Sequence, residues 1–187
     1  MFTRKKFMRI SMGILLTLVL SMALGANAQD AMGSGGRMVV ADGASNTSLD
    51  PFVSSWHSWP HYAIYATLFT RDANLDYVGF LADTWEIGED GTTLTIHLIQ
   101  DATFTDGTSV NAEAIKWNLD KYSNAETGAS QGADLVGLLE ETTIDDEYTV
   151  TLHLNSSYAP LFYTLSGLEI VSPTAYEAAG VENFGTN

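Results

Sequence analysis

The segment Trp56-His57-Ser58-Trp59-Pro60-His61 gathers the side chains best able to do chemistry in this 187-residue chain. His57 and His61 stand at i and i+4, so on a continuous helix both imidazoles would share a face, as a metal pair requires. Pro60 stands between them and is suited to the first turn of a helix, not its interior. The helix is therefore expected to begin inside the stretch, leaving exposed loop histidines and no metal site. Trp56 and Trp59 are amphipathic rings that either stack on a ligand or cap the edge of a core. Ser54 and His57 would offer polar groups to the same ligand. Further on, Gly128-Ala129-Ser130-Gln131-Gly132 is a run of small residues. It either allows close backbone approach to a ligand or marks an ordinary loop.

Catalytic patterns are missing. There is no Gly-x-Ser-x-Gly elbow, and nothing fixes Ser54 against His57. Glu140-Glu141 and Asp145-Asp146-Glu147 could suggest glycosidase carboxylates, but adjacent acids in polar turns read as a solvated surface. No D-x-D-x-D-G calcium loop occurs, and Gly33-Ser34-Gly35-Gly36 lacks the strand and helix of a phosphate cradle. With no cysteine, disulfides, thiol nucleophiles, Cys-ligated metals and a lipid-modified N-terminal cysteine are excluded. The expectation is a non-enzyme without cofactor. Eight basic residues against 23 acidic ones give −15, which repels phosphate backbones and excludes nucleic acid as a partner. The acids are spread along the chain, as suits solubility.

The elements that must position these residues can be read in order. Arg4, Lys5, Lys6 and Arg9 precede an apolar run from Ile10 to Leu24 and then Ala26-Asn27-Ala28. This is the pattern of a secretory signal peptide over 1–28, and its apolar run from Ile10 to Leu24 is too short to span a bilayer. A flexible Gly/Ser-rich leader over 29–37 follows, and the exported chain is expected to be soluble. A short buried strand is expected at 38–41 and a turn at Leu49-Asp50-Pro51. Helical spacing of Tyr62, Tyr65, Ala66 and Phe69 predicts a helix from His61 to Phe69. Trp85-Glu86-Ile87 and the alternating Thr93–Leu98 run predict a hairpin about Glu89-Asp90-Gly91. Asn111 caps a helix whose face carries Ile115, Leu119 and Tyr122. Thr149–Leu154 alternates as a strand. Helices are expected over Ala159–Leu165 and from Ser172-Pro173 to Gly180. Trp85 and Trp117 read as packing residues. Together these predict a mixed α/β chain with small antiparallel hairpins.

Eight consecutive blocks resemble the bacterial extracellular solute-binding proteins of family 5, the dipeptide-, oligopeptide- and nickel-binding proteins of ABC importers. Leu49-Asp50-Pro51 matches the turn after the first strand, and Tyr65-Ala66-Thr67-Leu68-Phe69 sits at the place of "YEGL". Leu81–Glu86 is similar to "LAESWE", Glu89–Leu98 to "SDDGLTYTFHL", Phe104–Thr108 to "FHDGT" and Asn111–Ile115 to "TAEDV". Tyr158–Leu161 and Ile170–Pro173 resemble "YAPFL" and "IVSP". Ile99, Asp101 and Thr103 depart from the pattern, which usually holds basic, Gly and basic or polar residues there. The resemblance implies a two-lobed periplasmic-binding-protein (type II) fold, with residues 38–187 as a truncated N-terminal portion of it. It implies capture of a peptide or similar small solute in the periplasm and delivery to a permease driven by an ATPase subunit. It places Ser54, Trp56, His57 and Trp59 on a ligand cleft, and Ser130 and Gln131 in a loop that contributes ligand contacts. The alternatives are a metal- or haem-scavenging protein using His57 and His61, and a secreted hydrolase.

Overall fold

Alternating apolar residues in two runs build the centre of the fold. The computed structural model describes residues 39, 48–54 and 59–186, and the elements below all belong to the unit Ala44–Asn187. The expected signal peptide, leader and first strand fall outside the described residues, Val39 apart. So do Trp56 and His57.

Strands β4 (Ala82–Ile87), β5 (Thr93–Leu98), β6 (Leu139–Asp146) and β7 (Thr149–Leu154) form an antiparallel sheet in the order β4-β5-β7-β6. Register places Leu94 opposite Leu152 and Ile96 opposite Val150. All four are fully buried, the expected result of a period of two with one face turned inward. The other face is a hydroxyl ladder. Thr95 and Thr151 share a hydrogen bond of 2.8 Å, Thr151 donates to Asp145 at 2.6 Å, and Thr149 donates to Asp146 at 2.9 Å. The expected β4–β5 hairpin is therefore present.

Helix α2 (Ala112–Ser123) covers the apolar face. Asn111 Oδ1 accepts from the Ala114 amide at 3.0 Å, so the cap forms where expected. Ile115, Leu119 and Tyr122 are fully buried. Asn118, also fully buried, locks the helix to the chain's far end. Its Nδ2 donates to the Ala114 and Val171 carbonyls, and its Oδ1 accepts from the Val171 amide at 3.0 Å. Helix α3 (Leu161–Gly167) and helix α4 (Pro173–Ala179) follow the two proline signals. Ser172 caps α4, and Gly180 ends it at a φ of 76°, a conformation that glycine adopts without strain.

The expected helix over His61–Phe69 is corrected. Helix α1 covers only Trp59–Ile64, and two short strands replace the rest: β1 (Ala66–Thr67) and β2 (Phe69–Arg71). β1 pairs with β8 (Glu169–Ile170), and β2 with β3 (Tyr77–Gly79). Long-range pairing overrides the local helical spacing, aided by the β-branched Thr67 and Thr70. Trp85 packs edge-on against Phe69 at 5.1 Å, and Trp117 against Tyr176 at 5.3 Å. Both are half-buried packing residues.

Candidate functional site

β1, β2, α3, β8 and a 3₁₀ turn (Ser130–Leu135) converge on a cavity of about 520 Å³. The antiparallel pairing of β1 with β8 sets Thr67 opposite Glu169, and both line the cavity. Tyr62 enters from α1, Tyr65 precedes β1, and Thr70 and Arg71 come from β2. Phe80 closes one side. Ser130, Gln131 and Asp134 come from the 3₁₀ turn, and Tyr163, Thr164, Ser166 and Gly167 from α3.

Several of these groups are held before any ligand arrives. The Tyr65 hydroxyl donates to the Leu49 carbonyl at 2.8 Å. Burial, with the negative charges of Glu169 and Asp50, pushes its phenol up to about 12, so it remains a donor at neutral pH. Thr164 Oγ1 donates to Asp134 Oδ2 at 3.3 Å, tying α3 to the 3₁₀ turn. Arg71 lies across the β2–β3 pair from Tyr77. Its Nη2 donates to the Tyr77 hydroxyl at 2.6 Å. The guanidinium sits 4.9 Å from the Tyr77 ring centre and 5.6 Å from that of Tyr163, within cation–π range. Tyr62, Phe80 and Tyr163 are 68%, 51% and 61% exposed. Open aromatic faces beside fixed hydroxyls suit a small polar solute.

Ser130 and Gln131 lie on this cavity, although the small-residue run forms a 3₁₀ turn and not a plain loop. Ser54 and Trp59 are not among its lining residues. Ser54 is buried in the turn after Asp50, where its amide donates to the Asp50 carbonyl at 2.9 Å. Trp59 is exposed at the start of α1. Trp56 and His57 lie outside the described residues. His61 corrects an expectation: it is fully buried within α1 and not an exposed loop histidine. Among the described residues no group of three or more His, Cys, Asp or Glu could hold a metal ion. No described helix is long and apolar enough to cross a membrane.

Sequence reasoning missed Tyr62, Tyr65, Thr67, Arg71, Asp134 and Tyr163. A signal for Arg71 was present, since basic residues are rare in this chain. A more open groove of about 730 Å³ at one end of the four-stranded sheet, lined by Asp83, His97, Asp146 and Glu147, offers charge but only Tyr148 as an aromatic face.

Comparison with known proteins agrees with this architecture. The sequence pattern of the bacterial extracellular solute-binding proteins, family 5 Middle, matches residues 76–186. A glutathione-binding protein GsiB from Pectobacterium atrosepticum is 31% identical over 148 residues, covering 77% of this chain and 29% of that protein. The chain thus spans under a third of the length of that relative. NikZ from Campylobacter jejuni, solved with Ni(L-His), superposes with a TM-score of 0.66 at 22% identity, over 77% of this chain and 28% of NikZ. The periplasmic binding protein DppA from Helicobacter pylori, solved with the peptide STSA, gives 0.61 at 22% identity, over 73% and 31%. The α/β fold, with its small antiparallel sheets, is part of the type II periplasmic-binding-protein fold. The chain belongs to family 5 of the bacterial extracellular solute-binding proteins.

Proposed function

We propose that this chain supplies one wall of a solute-binding cleft in the capture component of an ABC importer, with a peptide or glutathione-like solute as cargo. The cavity carries this reading: exposed tyrosine rings and hydroxyls face a space of about 520 Å³. Two of its lining residues, Ser130 and Gln131, are those that the family resemblance assigns to ligand contact. The names of the relatives support the cargo class, since one is a glutathione-binding protein and another was solved with a peptide. The chain's part is recognition. Hand-over falls to a permease, and the energy for transport comes from its ATPase.

The test is a titration of the isotope-labelled chain with glutathione and with trialanine, read from backbone amide resonances. Shifts concentrated at Thr67, Ser130, Gln131 and Thr164 are expected. An absence of shifts at these residues, or shifts confined to the His97 groove, overturns the reading.

Export belongs to the same proposal. Residues 1–28 act as a signal peptide and deliver the remainder to the periplasm. The mature chain, expressed with its own N-terminus in a Gram-negative host, should begin at Gln29 by N-terminal sequencing. Retention of Met1 in a cytoplasmic product overturns this part.

A further inference from the structure

Arg71 stands apart from the other cations of the described residues. Lys116 pairs with Asp120 at 3.0 Å. Lys121 lies over the rings of Trp117 and Tyr176 at 4.7 and 5.0 Å, and its charge acts on the buried Asp50. Arg71 lines the cavity, and no carboxylate among the described residues forms an ion pair with it. In a chain of net charge −15, acids to neutralise an exposed guanidinium are plentiful. This one lies over tyrosine rings instead.

The ring contacts leave donors open. A guanidinium has five N–H donors, all in its plane. The Tyr77 hydroxyl takes one, while contact with the tyrosine rings uses no hydrogen-bond acceptor. The remaining edge matches the two oxygens of a carboxylate in a forked pair. Asp134 and Glu169 line the same cavity, so it presents acidic groups as well as this guanidinium, and a carboxylate there favours a cation.

We propose that Arg71, steadied by Tyr77 and Tyr163, is a carboxylate subsite that orients a zwitterionic solute with its acid end on β2 and its cationic end toward Asp134. This rests on the cavity being a solute site, and it deepens that reading by naming the charge pattern of the cargo.

The experiment compares trialanine with its C-terminal amide on the full chain, using wild type, Arg71→Gln and Arg71→Lys. In wild type the acid should bind roughly tenfold more tightly than the amide, the size of one charge-assisted pair. Arg71→Gln should abolish that preference, so that acid and amide bind alike. Arg71→Lys should recover part of it, since a point charge lacks the fork. If the Gln variant fails to fold, the Lys variant carries the comparison through its reduced preference. Equal binding of acid and amide in wild type, with Ser130 and Gln131 still shifting, overturns the subsite while the cavity remains a solute site. An absence of cavity shifts with either peptide removes the solute-site reading, and the subsite falls with it.

Discussion

Asp50 is 1% exposed, yet it sits in a turn whose sequence promised only a change of chain direction. Desolvation raises its pKa above the ordinary carboxylate value, despite the Phe52 amide, the Tyr176 hydroxyl and the charge of Lys121, which all favour the anion. The surface aspartates behave oppositely. Asp72 is lowered by the Asp76 and Asn74 amides, Asp90 by the Thr92 amide and hydroxyl, Asp106 by the Ser172 and Thr108 hydroxyls, and Asp146 by the Tyr148 amide. Their contribution is present above the unfolded-state pKa and is lost as pH falls through the lower folded value. For Asp50 the folded state binds the proton first, so its term becomes more favourable as pH falls. Asp50→Asn separates the two, because Oδ1 can still accept from Phe52 while the buried charge is gone. Urea unfolding of both proteins from pH 7 down to about pH 4, close to the unfolded carboxylate value, should show wild type gaining on the variant. Parallel stability curves would remove Asp50 as the source. The burial was not legible locally because the Tyr176 hydroxyl bonds to Asp50 from 126 positions away.

At the scale of elements, α2 is fixed at both ends by different means. Its start depends on the Asn111 cap. At its other end the 3₁₀ turn sits directly on the helix backbone, where a Cβ on Gly132 would lie 2.3 Å from the Tyr122 carbonyl oxygen. Asn111→Ala should cost about 1 kcal/mol, the usual value of a lost cap. Gly132→Ala should cost more, about 1–3 kcal/mol, since the clash is with backbone and cannot be relieved by a rotamer change. Denaturant midpoints give the order, and a Gly132 variant as stable as wild type would show that the turn can lift from the helix. Elements with strong local signals were legible: the β4–β5 hairpin, the β7 alternation, the capped α2 and the two proline-led helices. The failures share a cause. Tyr65–Phe69 satisfies helical spacing, but its structure is decided by partners at Glu169–Ile170 and Tyr77–Gly79. The cavity is built from those same pairings. Ser130 and Gln131 were named through the family resemblance, while Tyr65 and Thr67 were hidden by the mistaken helix.

Charge acts on the whole molecule. Family membership was legible because ordered blocks preserve turns and core strands, which constrain sequence even where ligand chemistry differs. Net charge is a separate property, and at −15 it works against the fold through self-repulsion. The acids line several surfaces: the β6–β7 hairpin carries exposed Asp145, Asp146 and Glu147, and α4 carries Glu177. Only Arg71, Lys116 and Lys121 oppose them among the described residues. Repulsion spread over such distances is long-ranged, so salt should relieve it. The Debye length falls from about 30 Å at 0.01 M to about 10 Å at 0.1 M and about 3 Å at 1 M. The thermal midpoint of the chain should therefore rise steeply over the first tenfold increase in sodium chloride and then flatten. That shape identifies screening, because preferential exclusion of salt continues to grow with concentration. Potassium chloride should give the same curve, and an equimolar increase in sucrose should not reproduce its early rise. A midpoint unchanged between about 0.01 M and about 0.1 M salt would show that the acidic surface is already neutralised by its own geometry, and that its charge is no burden on the fold.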